Sequence, residues 1–143
     1  MPNRPKKTRV MVFGTFDSLH KGHLNFFKQA RALVKNPYLI VSIARDFNVK
    51  RIKGKKPLAT ERLRLKAVKA SGLVDKAVLG GIKTYIPHII KQHPSVIALG
   101  YDQRNYIKNL KSGLRKQGLA VVILRLKAYK PHIYKSSLVK LKI

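Results

Sequence analysis

The chain predicts an α/β fold: a three-layer α/β/α arrangement around a five-stranded parallel sheet. Three observations lead there. Apolar, β-branched runs alternate with segments of helical periodicity along the whole length. Those runs are continuously apolar rather than alternating, as strands covered on both faces are. Finally, the segments rich in glycine, histidine and cations follow the apolar runs, and ligands of such sheets bind outside the carboxyl ends of the strands.

Each element has its own justification. Residues 9–13 read as a buried strand, and residues 22–34 as an amphipathic helix with Leu24, Phe27, Ala30 and Val34 at helical spacing. Asn36-Pro37 stops that helix. Residues 38–44 (YLIVSIA) form a second strand. Residues 45–59 carry Lys50, Arg51, Lys53, Lys55 and Lys56 around Gly54 and end near Pro57, the composition of a mobile basic loop. Thr60 is placed to cap a helix running to Ala70. Residues 77–79 are a short strand before Gly80-Gly81, and residues 86–91 a helix with Pro87 in its first turn. Residues 96–99 are the fourth strand, 105–116 a helix closed by Gly118, 120–126 the fifth strand, and 135–141 a last helix.

The 143 residues are expected to form a single domain, with residues 1–8 as a basic tail. Lysine and arginine number 32 against five acids, a net charge of +27. That balance calls for polyanionic partners: nucleotides, nucleic acid or an anionic surface. There is no cysteine, which excludes disulfides and thiolate metal sites. No apolar run approaches the roughly 20 residues that span a bilayer, and no signal-like segment follows the basic start. A cytoplasmic protein without membrane insertion is the expectation.

The sharpest signal is His20-Lys21-Gly22-His23, just beyond Gly14-Thr15-Phe16-Asp17, where strand one turns into a helix. A helix N-terminus offers unpaired N–H groups and a positive dipole end, and two imidazoles there add donors for the same anion. Glycine at 22 permits close approach of the backbone. The pattern reads as a triphosphate site. Two histidines three apart can also ligate zinc, but no cysteine or third nearby histidine supports that reading.

GTFDSLHKGH (14–23) resembles the GTFDxLHxGH signature of the cytidylyltransferase-like nucleotidyltransferases, which carry HxGH on a Rossmann-like fold. The similarity continues through Asn48 and the basic run to Pro57, Glu61-Arg62, VDKAVLG (74–80), LGYDQ (99–103) and KSSLVK (135–140). Small members of this superfamily include archaeal-type FAD synthetase and glycerol-3-phosphate cytidylyltransferase, and the GYDQ loop and paired serines lie nearer the former. The resemblance implies transfer of AMP or CMP from ATP or CTP to a phosphorylated acceptor, with Mg²⁺ and release of pyrophosphate. It leans to FMN as acceptor, with a CDP-alcohol-forming reaction as the alternative, and it implies a homodimer. A non-enzymatic nucleic-acid-binding protein on the same fold is the rival that the charge suggests, and weak association with nucleic acid fits either case.

On this reading His20 and His23 are catalytic, joined by Lys53 and Arg62. Gly14, Thr15, Phe16, Asp17, Gly22, Lys56, Gly100, Asp102, Gln103, Ser136 and Ser137 bind the nucleotide. Asp17 either serves the turn or orients a histidine and helps hold Mg²⁺ through water; no direct metal ligand is assigned. Lys53 and Lys56 are candidates for the β- and γ-phosphates, against a simply solvated loop. Arg62 is either a phosphate clamp or an exposed helix arginine. Asp102 and Gln103 fall beside the expected nucleobase, and Ser136 and Ser137 are triphosphate ligands or a helix cap.

Overall fold

The computed structural model describes residues 6–81, 85–101, 103 and 107–128. The expected helix at 135–141, Ser136, Ser137, Asp102 and the first five residues of the tail lie outside them.

Five strands alternate with helices: β1 (Thr8–Gly14), α1 (Lys21–Arg31), β2 (Pro37–Ile43), α2 (Asp46–Lys53), α3 (Glu61–Ala70), β3 (Lys76–Leu79), α4 (Ile86–Gln92), β4 (Val96–Leu99), α5 (Ile107–Lys116) and β5 (Val122–Arg125). All pairings are parallel, in the order β3-β2-β1-β4-β5. The chain winds outward from β1 through β2 to β3, then crosses back to place β4 on the other side of β1. The switch point therefore lies between β1 and β4, at Gly14 and Leu99.

Two cores explain the three layers. Val10, Val12, Leu39 and Val41 pack on one face with Phe27 and Ala30 of α1 and Val68 of α3. Met11, Ile40 and Ile97 pack on the other with Ile89 of α4 and Leu110 and Leu114 of α5. Strand residues thus feed opposite layers by simple alternation, although both layers are apolar.

The chain corrects several sequence expectations. Residues 45–59 are not one loop: Asp46–Lys53 form α2, closed by Gly54 in the left-handed conformation at φ 84°. Helix α1 ends at Arg31, three residues before Val34, because the chain turns at 32–36 to enter β2. Strand β5 is shorter than 120–126 and incompletely covered, with Val122 55% exposed. It is an edge strand, so it has one neighbour to hide it rather than two. The tail also ends sooner than residue 8, because Thr8 already donates its N–H to Asn36 at 2.7 Å.

Candidate active site

The end of β1 builds the site. Phe16 turns back with φ 52°, placing its ring directly over Gly14. A Cβ on Gly14 would stand 2.5 Å from that ring, so only glycine allows the fold-back. The buried Phe16 ring then meets Phe27 and, edge-on, the ring of His23 at 5.4 Å. In this way the GTF triplet becomes the apolar floor under the second histidine.

His20 is the N-cap of α1: its extended backbone ends the turn, and its Nδ1 accepts the Gly22 N–H at 3.0 Å. That bond fixes the tautomer. Nδ1 supplies a lone pair, so in the neutral ring Nε2 carries the proton. The His20 Nε2 is buried and has no partner among the described residues, and neither has His23 Nδ1. The two rings stack at 3.9 Å. Glycine at 22 serves the imidazole rather than opening backbone to a ligand, for a Cβ there would meet His20 Cε1 at 2.8 Å. Gly22→Ala is expected to leave the melting temperature nearly unchanged and to lower kcat by about tenfold or more, by displacing that ring; steady-state kinetics beside a melt checks it.

Burial keeps both imidazoles neutral. It lowers His20 below its ordinary value. For His23 burial is again the main cause, the His20 ring adds to it, a hydrogen bond to the Ser18 backbone opposes it, and the net result is about 4. From 6.5 down to about 4 the unfolded chain takes up a proton at His23 that the folded chain refuses. Stability is therefore lost as pH falls through that window, and His20 and His88 shift in the same direction. The melting temperature is expected to drop between about pH 7 and about pH 5, and to drop less in His23→Asn; thermal melts at the two pH values measure it.

The surrounding loops are tied to this turn by side chains. Asp17 uses both carboxylate oxygens on backbone N–H groups, taking Leu58 at 2.7 Å and Ala59 at 2.8 Å. It pins the α2–α3 linker against the turn after β1, and among the described residues it makes no bond to either histidine. Across the switch point Gln103 donates to the Phe13 carbonyl and accepts from the Gly100 N–H, each at 2.7 Å. Arg125 in turn holds the carbonyls of Gly100 and Gln103. The Gln103 amide thus joins β1 to the loop after β4, on the expected nucleobase side.

One arginine escaped sequence reasoning. Arg64 is buried (1% exposed) and reaches the Thr15 and Ala59 carbonyls and Asp46 Oδ1 at 2.7 Å. The neighbouring network is reciprocal. Asp46, first residue of α2, accepts the N–H of Glu61, while Glu61, first residue of α3, accepts the N–H of Asp46. Arg45 pairs with Glu61 and reaches the Gly80 carbonyl. Burial pushes the Asp46 carboxyl up, and the bonds from Arg64 and the Glu61 backbone outweigh it, holding it below the usual carboxylate range. Arg62, Lys53 and Lys56 are all exposed, on α3, at the last residue of α2 and in the linker. The structure brings Gly14, Thr15, Phe16, Asp17, His20, Gly22 and His23 together, and leaves these three cations exposed on the α2–α3 segment outside that turn.

No described group of three His, Cys, Asp or Glu residues could hold a metal ion. Four of the chain's five acids are described, and all four are engaged, Asp75 by Arg31 and the Leu39 N–H.

A turn that presents two orphaned imidazole nitrogens at the switch point of a parallel sheet matches a known family. The cytidylyltransferase-like family model fits residues 11–142. The chain belongs to the cytidylyltransferase-like family. It is a nucleotidyltransferase by that membership and by its relatives. The FAD synthase of Methanosarcina barkeri is 45% identical over 119 residues, covering 83% of each chain. That of Thermococcus sibiricus is 37% identical over 138 residues, covering 96% of this chain and 89% of its own. A crystal structure described as the lipopolysaccharide core biosynthesis protein from Thermoplasma volcanium superposes with a TM-score of 0.79 at 36% identity, over 87% of this chain and all of that one. No helix among the described residues is long and apolar enough to cross a membrane.

Proposed function

We propose that this family member is an FMN adenylyltransferase, joining AMP from ATP to FMN to give FAD. The observation that carries the proposal is the pair of buried, unpartnered nitrogens, His20 Nε2 and His23 Nδ1. Buried polar atoms are nearly always satisfied, and at this helix N-terminus the His20 Nε2–H, protonated because Nδ1 accepts from Gly22, calls for an anionic ligand. The FAD synthase relatives support FMN as the acceptor.

In the proposed reaction a phosphate oxygen of FMN attacks the α-phosphorus of ATP. A new P–O bond forms, the bond from the α-phosphorus to the α–β bridging oxygen breaks, and pyrophosphate leaves. The nucleophile is already an anion and needs no base. What remains is positioning and stabilisation of charge, which preorganised donors provide. His20 offers Nε2–H without reorganising, because its Nδ1 is held by Gly22. His23 is fixed beside it by the stacked ring and the Phe16 edge. The exposed cations Lys53, Lys56 and Arg62 are proposed for the β- and γ-phosphates. A divalent cation is proposed to travel on the triphosphate itself. The net charge of +27 supports a further, weak association with nucleic acid, sensitive to salt.

The test is product formation with ATP or CTP, against FMN and glycerol 3-phosphate, followed by chromatography and pyrophosphate release. FAD from ATP and FMN is the expected result. A CDP-alcohol from CTP would replace the acceptor assignment, and no pyrophosphate with any pair would overturn the reading.

A further inference from the structure

The positive charge of the chain is unevenly compensated. From Lys76 to the C-terminus the sequence carries fourteen lysines and arginines and a single acid, Asp102. The other four acids precede that point and are committed to arginines or to backbone N–H groups. Unneutralised charge therefore gathers on the elements of the second half, whose helical layer is α4 and α5.

Helix periodicity puts the cations of this layer on its outer side. In α5 the buried positions are Leu110 and Leu114, one turn apart, and both pack in the core that holds Ile97 of the sheet. Asn109, Lys111, Ser112, Arg115 and Lys116 occupy the opposite arc of the helix and are all exposed. Lys111 and Arg115 stand one turn apart, about 6 Å along the axis. On α4 the buried positions are Ile89 and Gln92, and Lys91 falls on the other side and is exposed. The two helices approach closely, since a Cβ on Gly113 of α5 would stand 3.1 Å from Ile86 Cδ1 of α4. Among the described residues no carboxylate pairs with Lys91, Lys111, Arg115 or Lys116.

We propose that this outer face of α4 and α5 binds the phosphate backbone of a nucleic-acid duplex without reading its sequence. The face gives a location to the weak nucleic-acid association proposed from the net charge, and it rests on that reading rather than on the acceptor. Lysine, arginine, asparagine and serine are side chains that take backbone phosphates. Neither helix carries an aromatic residue on which an unpaired base could stack, which favours a duplex over a single strand. None of the large apolar side chains exposed among the described residues lies on α4 or α5, so the face lacks the apolar anchor of a bilayer-binding surface. The histidine pair belongs to α1, which packs on the other face of the sheet, so duplex binding and nucleotidyl transfer are separable.

The experiment follows the fluorescence anisotropy of short labelled duplexes of RNA and of DNA over a range of KCl, with the full chain and two variants of equal charge. One variant is Lys111→Gln, Arg115→Gln, Lys116→Gln. The control is Lys28→Gln, Lys66→Gln, Lys69→Gln, exposed cations of α1 and α3 in the opposite layer. The α5 variant is expected to bind at least about tenfold more weakly, and its plot of log affinity against log salt to be shallower by about 3. The control is expected to stay within about threefold of wild type, and all three proteins to form FAD at the same rate. Equal losses in the two variants overturn the face, because bulk charge then accounts for binding. So does a wild type without salt-dependent duplex binding, a single strand bound more tightly than the duplex, or an α5 defect confined to sedimentation with phosphatidylglycerol vesicles. An α5 defect seen with RNA alone or with DNA alone sustains the face and names the duplex. If the triple variant melts early, Lys111→Gln alone is used, with an expected change in slope of about 1. An α5-dependent duplex affinity in a chain that makes no FAD sustains the face and removes the FMN adenylyltransferase reading instead.

Discussion

His20→Asn is expected to lower kcat by about 10²–10³-fold while the protein melts within about 0.5 kcal/mol of wild type. The variant separates two functions that one side chain combines. The imidazole Nδ1 caps α1 by accepting from Gly22, and Nε2 is buried without a partner among the described residues. Asparagine is among the best N-caps, so the first function survives. It is too short to place a donor where Nε2 lies, so the second is lost. Alanine at the same position loses both, with about 1 kcal/mol of stability beside the turnover. Calorimetry together with FAD formation distinguishes them. Normal turnover in a well-folded asparagine variant would remove His20 from the chemistry.

Arg64→Leu is expected to cost about 3–5 kcal/mol of stability, the largest effect of any single change considered for this chain. The guanidinium is sequestered from water and divides its bonds among Thr15, Ala59 and Asp46. Removing it strands two carbonyls and deprives a carboxylate of its counter-charge. Lysine does not rescue, since one ammonium cannot replace a planar fork serving three acceptors. Because Thr15 belongs to the turn that carries His20 and His23, the leucine variant is also expected to show reduced kcat below its melting temperature. Denaturant titration and kinetics well below the transition check both parts. A loss under about 1 kcal/mol would show that the network is dispensable.

The sheet was legible because its strands are continuous β-branched runs, and the three layers followed from the alternation. Thr60 announced α3 correctly through its capping chemistry. Helix α2 was not legible, since its sequence is basic and ends in glycine, and the support for its first turn is a carboxylate fifteen residues away. The histidine pair and the GTFD turn could be located from sequence, but the tautomer of His20 could not, because it depends on a backbone N–H found only once α1 has formed. Arg64 lay hidden among several arginines and lysines of α3. Its spacing four residues from both Thr60 and Val68 was the available signal, and its charge argued against burial. Gln103 carries a structural duty that its sequence did not announce: its amide braces the Phe13 carbonyl and the Gly100 N–H.

The crossed carboxylates that join α2 to α3 have a consequence for how this chain tolerates change. Side-chain bonds hold the two helix starts, and Asp17 independently anchors Leu58 and Ala59. The exposed stretch Gly54-Lys55-Lys56 therefore does not set the geometry that it spans. Extra residues inserted there would add only a slowly growing closure entropy, about 0.6 kcal/mol for each doubling of length. The linker can thus vary in length and cargo, as a natural insertion or an engineered fluorophore tag, while the turn beneath it stays in register.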